Sequence, residues 1–211
     1  MNDHLTRNAG SSLISGSILI TITMVLHPMG GSVEHLRAVS TILISTHALA
    51  IVSLPFLLFG FWGLSNRLSI TDSISILAFM TIAMGIIAGM FVAAINGLAL
   101  PVFLGQYREA SDEILNSIEP MLRYSLSLNM AMDYIFIGAV CVAISLWGIL
   151  IITKSIFPKW IGYVGLAISG STVVSGIAGF VFTDLFGFRI FIFGLVLWMV
   201  VVGYHLRTEN A

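Results

Sequence analysis

The chain has 211 residues, of which 58% are hydrophobic and 9% charged, and its mean hydropathy is +1.03. Soluble domains are about half apolar and about a quarter charged, so this composition predicts an integral membrane protein. The formal net charge is −1 and no lysine or arginine cluster is present, which excludes a basic surface for nucleic acid. We therefore expect membrane lipids as partners, while the sequence leaves the oligomeric state open.

Six apolar runs are long enough, or nearly so, to cross a bilayer, whose core of about 30 Å requires about 20 helical residues. Short polar or turn-forming segments separate these runs. The sequence therefore predicts an all-α integral membrane bundle of six transmembrane helices in a single domain. The predicted helices are residues 11–28, 36–64, 74–104, 123–152, 160–182 and 187–206.

A polar segment separates the third and fourth runs and has a helical pattern of its own. Between Ser111 and Tyr124, apolar residues recur at spacings of three and four, which predicts a short amphipathic outer helix. Its apolar positions are Ile114, Leu115, Ile118, Met121 and Leu122. Such a helix either covers the end of the bundle or forms a lid over a pocket.

The basic residues give an expected orientation. An even number of spans places both termini on one side, where five basic residues fall against four on the other. The five are Arg7, Arg67, Lys154, Lys159 and Arg207, and the four are Arg37, Arg108, Arg123 and Arg189. Because cytoplasmic loops carry the excess of lysine and arginine, we expect cytoplasmic termini and a multi-pass protein of the cell inner (plasma) membrane.

Two ionisable residues fall at similar depth in different runs. Such residues are costly within a membrane and are candidates for a functional site. Taking Trp62 and Trp147 as markers of one membrane interface, His47 lies about four helical turns from Trp62, and Asp133 lies about four turns from Trp147. Both are therefore about 21–22 Å from that interface, which predicts a buried pair of His47 and Asp133.

Other polar residues cluster in the same predicted outer half. The predicted ligand-binding residues are His47, Asp133, Asn96 and Asn129, and the predicted outer mouth is formed by His27, Glu34 and His35. The inner half is nearly free of ionisable groups. This asymmetry favours a pocket that is open on one side over a through-channel.

Zinc and haem are the cofactors that these residue types suggest. His27, Glu34 and His35 are candidate metal ligands, as are His47 and Asp133 deeper in the membrane. The depth estimate separates His27 from His47 too far for one metal, and no HExxH pattern is present. It also leaves His47 without a histidine partner, which argues against a bis-histidine haem but leaves a single axial ligand open.

HPMGG follows the first run, HALAIVSLP lies in the second, and PKWIGYVGL is at the start of the fifth. In these three segments the sequence resembles uncharacterised small multi-pass membrane families of bacteria. The resemblance implies a six-helix bundle in a bacterial inner membrane and implies no activity.

Taken together, the sequence favours a polytopic inner-membrane protein with a polar pocket for a small molecule, lipid or metal. The alternatives are a metal-dependent membrane hydrolase, a small transporter and a purely structural membrane protein. Pro55 and Pro101, which can interrupt helices, favour a transporter, but the lack of an inward-facing polar set argues against one. Whether the protein is an enzyme stays open.

Overall fold

The computed structural model describes residues 3–69, 72–107 and 109–208. Within these ranges every regular element is a helix, and six helices are long and apolar enough to cross a membrane. The predicted all-α class and the six apolar helices are therefore confirmed. The six candidate spans are His4–Leu26, Ser40–Arg67, Ser73–Gly105, Glu113–Lys154, Lys159–Ile177 and Leu185–Thr208.

The third span contains a change of helix type. Helix α4 continues through a π-helical segment, Ala93–Ala99, into the short helix α5, which carries Pro101 near its start. The α-helices in chain order are α1 Asp3–Leu26, α2 Val33–Ala38, α3 Ser40–Arg67, α4 Ser73–Val92, α5 Leu100–Gly105, α6 Asp112–Lys154, α7 Lys159–Ile177 and α8 Leu185–Thr208.

The spans follow one another around a ring in chain order. Helix α1 packs against α3 and α8, α4 packs against α3 and α6, and α7 packs against α6 and α8. Small residues permit the close approach at the point where the ring closes, since a Cβ on Gly10 would lie 2.5 Å from the carbonyl oxygen of Gly203. We call the half of the ring nearer residues 3 and 208 the terminal half, and the opposite half the distal half.

Aromatic side chains fill the terminal half. Trp147 is 0% exposed, and its ring stacks on those of Phe61 and Trp198 at centroid distances of 5.2 and 6.5 Å. Its Nε1 donates a hydrogen bond of 2.9 Å to Ser65 Oγ. Trp147, predicted to mark the membrane interface, thus faces the interior of the bundle, where Ser65 satisfies its indole N–H.

Helix α7 ends at Ile177, earlier than the predicted residue 182. The N–H of Phe180 bonds to the Ser175 carbonyl at 2.9 Å, and that of Gly179 bonds to the Gly176 carbonyl at 3.1 Å. Gly179 has φ +92°, which a glycine adopts without a steric penalty. This is a Schellman ending, which satisfies carbonyl groups at the helix terminus.

The amphipathic segment after residue 111 is helical, and it continues without a break into the fourth span. Helix α6 has 43 residues and is about 64 Å long, roughly twice the thickness of a bilayer core. Its first turns pack against α5, where Ile118 joins Leu100 and Leu104 in a separate apolar cluster. Pro120 lies inside this helix without ending it, and no glycine or proline follows from 121 to 137, where the amphipathic segment joins the membrane span.

Candidate functional site

A cavity of about 290 Å³ lies in the distal half of the ring. Every span except α7 contributes to its wall, together with the segments that follow α1 and precede α8. Gly30 and Asp184, both exposed, lie at its edge and mark the end at which it opens. The polar lining residues are Thr23, His27, His47, Asn96, Asn129, Asp133, Thr183 and Asp184.

His47 is held rigidly in the second turn of α3. Its side chain is buried, and Nδ1 donates a hydrogen bond of 2.8 Å to the carbonyl oxygen of Leu43. The ring lies directly on Gly97 of the π-helical segment, where a Cβ would come within 1.8 Å of the ring's Cγ. A glycine at 97 is therefore required for His47 to occupy this position.

His27 directly follows the last residue of α1 and is fixed by its backbone. Arg189 donates hydrogen bonds to the carbonyl oxygens of His27 and Met24, at 2.9 and 3.1 Å. The Nδ1 of His27 donates to the carbonyl oxygen of Pro28 at 2.8 Å. Burial lowers the pKa of His27 and the charge of Arg189 lowers it further, while the Pro28 bond acts in the opposite direction.

The structure brings His27 and His47 together. Their Nε2 atoms are 3.3 Å apart, and the ring centroids are 4.8 Å apart. The expectation that these residues lie at very different depths was wrong. Helix α3 begins at Ser40, so His47 is only about 10 Å into that helix, and the His27 side chain reaches across from the end of α1.

Asp133 and His47 line the same cavity but are not hydrogen-bonded to each other in the part of the chain that the structure describes. The carboxylate Oδ2 of Asp133 accepts a bond of 2.9 Å from Nδ2 of Asn129, one turn away on α6. His47 instead meets Leu43 and His27. The structure thus places His47 and Asp133 in the wall of one cavity, but the two side chains do not form the predicted direct pair.

Two residues that line this cavity each carry a buried amide oxygen without a hydrogen-bond partner among the described residues. Asn129 is 7% exposed, and its buried Oδ1 accepts no bond from the part of the chain that the structure describes. The buried Oδ1 of Asn96, on the π-helical segment, is likewise unpartnered. A buried polar atom without a partner costs about 1–3 kcal/mol, and π-helical turns often occur at functional sites.

Of the three residues predicted to form the outer mouth, only His27 lines the cavity. Glu34 and His35 are exposed and do not line the cavity, and Nε2 of His35 bonds to the Met29 carbonyl oxygen at 3.1 Å. A hydrogen bond from the Ser32 hydroxyl lowers the pKa of Glu34. Within the described ranges no group of three or more His, Cys, Asp or Glu could hold a metal, so the predicted cluster of His27, Glu34 and His35 does not form.

Asp184 stands at the cavity edge and was not predicted. Its Oδ1 accepts a hydrogen bond of 2.6 Å from the N–H of Gly187, so Asp184 caps the start of α8. An aspartate just before a long apolar run is a sequence signal for such a cap. That signal was present in TDLFGF, and its position on the distal side follows from the chain order of the spans.

The pair of histidines does not fit the bis-histidine haem. Axial nitrogens on opposite faces of an iron must be separated by about twice a metal–nitrogen bond of roughly 2.0 Å, which exceeds the observed 3.3 Å.

The six apolar helices have the length and composition of a multi-pass membrane protein, and their ring holds a polar cavity in one half. A scan of protein-family models, a search of curated proteins and a search of solved structures each found no match.

Proposed function

We propose that this protein binds a small molecule carrying hydrogen-bond donors in its distal cavity. The observation that carries the proposal is the pair of unpartnered amide oxygens of Asn96 and Asn129, both on residues that line one space. A ligand with amine, hydroxyl or amide groups would supply the missing donors. The Asp133 carboxyl beside them would add a further acceptor.

The form of the cavity agrees with this ligand class. Small-molecule sites are mostly apolar with a few polar groups, and they have volumes of about 300–1,000 Å³. Here apolar side chains surround the polar group, and the volume of about 290 Å³ is at the lower limit of that range. This size favours a compact molecule over a lipid with long acyl chains. The apolar lining includes Ile20, Met24, Leu54, Val92, Phe136, Phe188 and Ile192.

The filled terminal half favours binding over conduction. Trp147, Phe61 and Trp198 pack there with little or no exposure, below the cavity. A through-channel requires a polar path on both sides of the membrane, and these side chains close one side. A transporter would have to separate this aromatic packing to release a ligand.

The membrane and orientation belong to the same proposal. The distribution of basic residues supports cytoplasmic termini, and the resemblance to bacterial multi-pass families supports a bacterial inner membrane. With that orientation the cavity opens outward, where solutes from outside the cytoplasm reach it.

Native mass spectrometry of the purified, untagged protein released from detergent micelles tests the proposal. We expect a bound small-molecule mass on the wild-type protein, and its loss from Asn129→Leu and Asn96→Leu. Asn116→Leu, at an exposed position of α6 outside the cavity, is the matched control and should retain the mass. A wild-type protein without bound mass, or equal occupancy in Asn129→Leu, would overturn the proposal.

A further inference from the structure

We propose that His27 and His47 together bind a divalent transition-metal ion, with zinc as the probe, between their Nε2 atoms. This inference names one ligand of the distal cavity, and so it rests on the proposed function. Its basis is the arrangement of the two imidazole rings rather than the unpartnered amides.

The backbone fixes the same tautomer on both rings. A carbonyl oxygen can only accept a hydrogen bond, so the Nδ1 atoms that contact Pro28 and Leu43 must each carry the hydrogen. In a neutral imidazole this leaves an unprotonated lone pair on Nε2. An Nδ1–H bond to a backbone carbonyl is also the arrangement that orients metal-binding histidines.

When both rings are neutral, the two Nε2 atoms are therefore both acceptors, and they approach each other to 3.3 Å. Two facing acceptors repel each other unless a cation lies between them, either a metal ion or a proton carried by one of the rings. Two zinc–nitrogen bonds of about 2.0–2.1 Å at a tetrahedral angle place the nitrogens about 3.3–3.4 Å apart. The observed separation matches that value, and it is longer than the usual 2.7–3.2 Å of an N–H hydrogen bond.

Among the described residues no group of three or more His, Cys, Asp or Glu is suited to a metal, so the two histidines would be its protein ligands there. Water or a small ligand in the cavity would fill the other positions. The charged groups around the pair are Arg189, which bonds to the His27 carbonyl, and the carboxyl groups of Asp133 and Asp184 across the cavity. Imidazole ligands suit zinc, copper, nickel and iron, and the two backbone-oriented rings supply them.

Titration of the protein with zinc chloride after chelator treatment tests this directly. The protein is used untagged, in detergent, and binding is measured by isothermal titration calorimetry. We expect one zinc ion per wild-type chain and at least about a 100-fold loss of affinity in His27→Ala and in His47→Ala. His35→Ala, which removes an exposed histidine outside the cavity, is the control and should bind like wild type.

A second measurement does not depend on how the variants fold. The wild-type protein loaded with Co²⁺ should show the intense visible d–d bands of a tetrahedral site, and zinc should displace them. No stoichiometric zinc binding by the wild-type protein, or binding retained in folded His27→Ala, would overturn the inference. A protein that keeps an Asn129-dependent bound molecule but binds no zinc would overturn the metal site and leave the proposed function standing.

Discussion

Gly97 is the residue on which the position of His47 depends most directly. The imidazole occupies the space that any side chain at 97 would need, and no relaxation of a flexible chain end can relieve a contact with the ring's Cγ at 1.8 Å. Because this glycine lies in the π-helical segment, the wider turn and the missing side chain together bring the third span against α3. The site is thus built from a backbone feature as much as from its polar groups.

Gly97→Ala should therefore displace the His47 ring. We expect a loss of about 1–3 kcal/mol in the free energy of unfolding, the usual cost of overpacking, together with loss of zinc binding. Unfolding in mixed detergent micelles, followed by circular dichroism, measures the first effect. Gly138→Ala in α6 is the control, since nothing lies within 4 Å of its added Cβ, and it should be neutral or stabilise by up to about 1 kcal/mol. Equal effects of the two changes would contradict this account of His47.

At the scale of elements, hydrogen bonds in the terminal half join three helices. Ser65 of α3 accepts from Trp147 of α6 at 2.9 Å, and its Oγ donates to the Ser75 carbonyl of α4 at 3.1 Å. Ser75 returns a bond of 2.8 Å to the Ser65 carbonyl. In a membrane, where lipid tails are as apolar as the side chains, such bonds between helices add to van der Waals packing in holding the helices together.

Replacing Ser65 with alanine should weaken this junction. The Trp147 N–H would lose its acceptor in an apolar interior, and we expect a cost of about 0.6–1.7 kcal/mol. Ser171→Ala, on the exposed face of α7, removes a hydroxyl that bonds only within its own helix and should change stability little. Unfolding curves of both variants in the same micelles provide the comparison. A Ser65→Ala protein as stable as Ser171→Ala would show that the junction contributes nothing.

Run length was sufficient to predict the six apolar helices, because a membrane imposes one length and one composition on each. Sequence spacing also singled out His47, Asn96, Asn129 and Asp133, which now line one cavity. Sequence spacing could not predict the contact of His27 with His47. Depth counted in residues along a helix takes no account of where the helix begins, or of how a side chain in a connecting segment folds back toward it.

Gly179 shows a second limit. In the sequence it follows Ala167, Ser171 and Ser175 at four-residue spacing, which is typical of a packed helix face. In the structure Ser171 and Gly179 are exposed, and Gly179 belongs to the C-terminal ending of α7. A glycine at such a spacing has the same appearance in the sequence whether it permits packing or a left-handed backbone. Only the backbone conformation separates the two cases.

Across the whole molecule, the ring of spans differs between its two halves. Large aromatic rings fill the axis in the terminal half, whereas the distal half leaves a polar space that His27, Asn129 and Asp184 border. The central claim is that solutes enter this distal space and do not reach the terminal half. Helix α6 passes through both halves and offers matched positions for a test.

Cysteine accessibility in proteoliposomes, on a Cys141→Ala background, tests the claim most directly. Asn129→Cys in the cavity wall and Ala143→Cys in the terminal half, where Ala143 is 0% exposed, are treated with a small water-soluble methanethiosulfonate. The structure predicts rapid modification of the cysteine at 129 and none of the cysteine at 143, as read by mass spectrometry of the intact protein. An unreactive cysteine at 129, or equal reaction at both positions, would contradict a cavity open to solutes at the distal end alone.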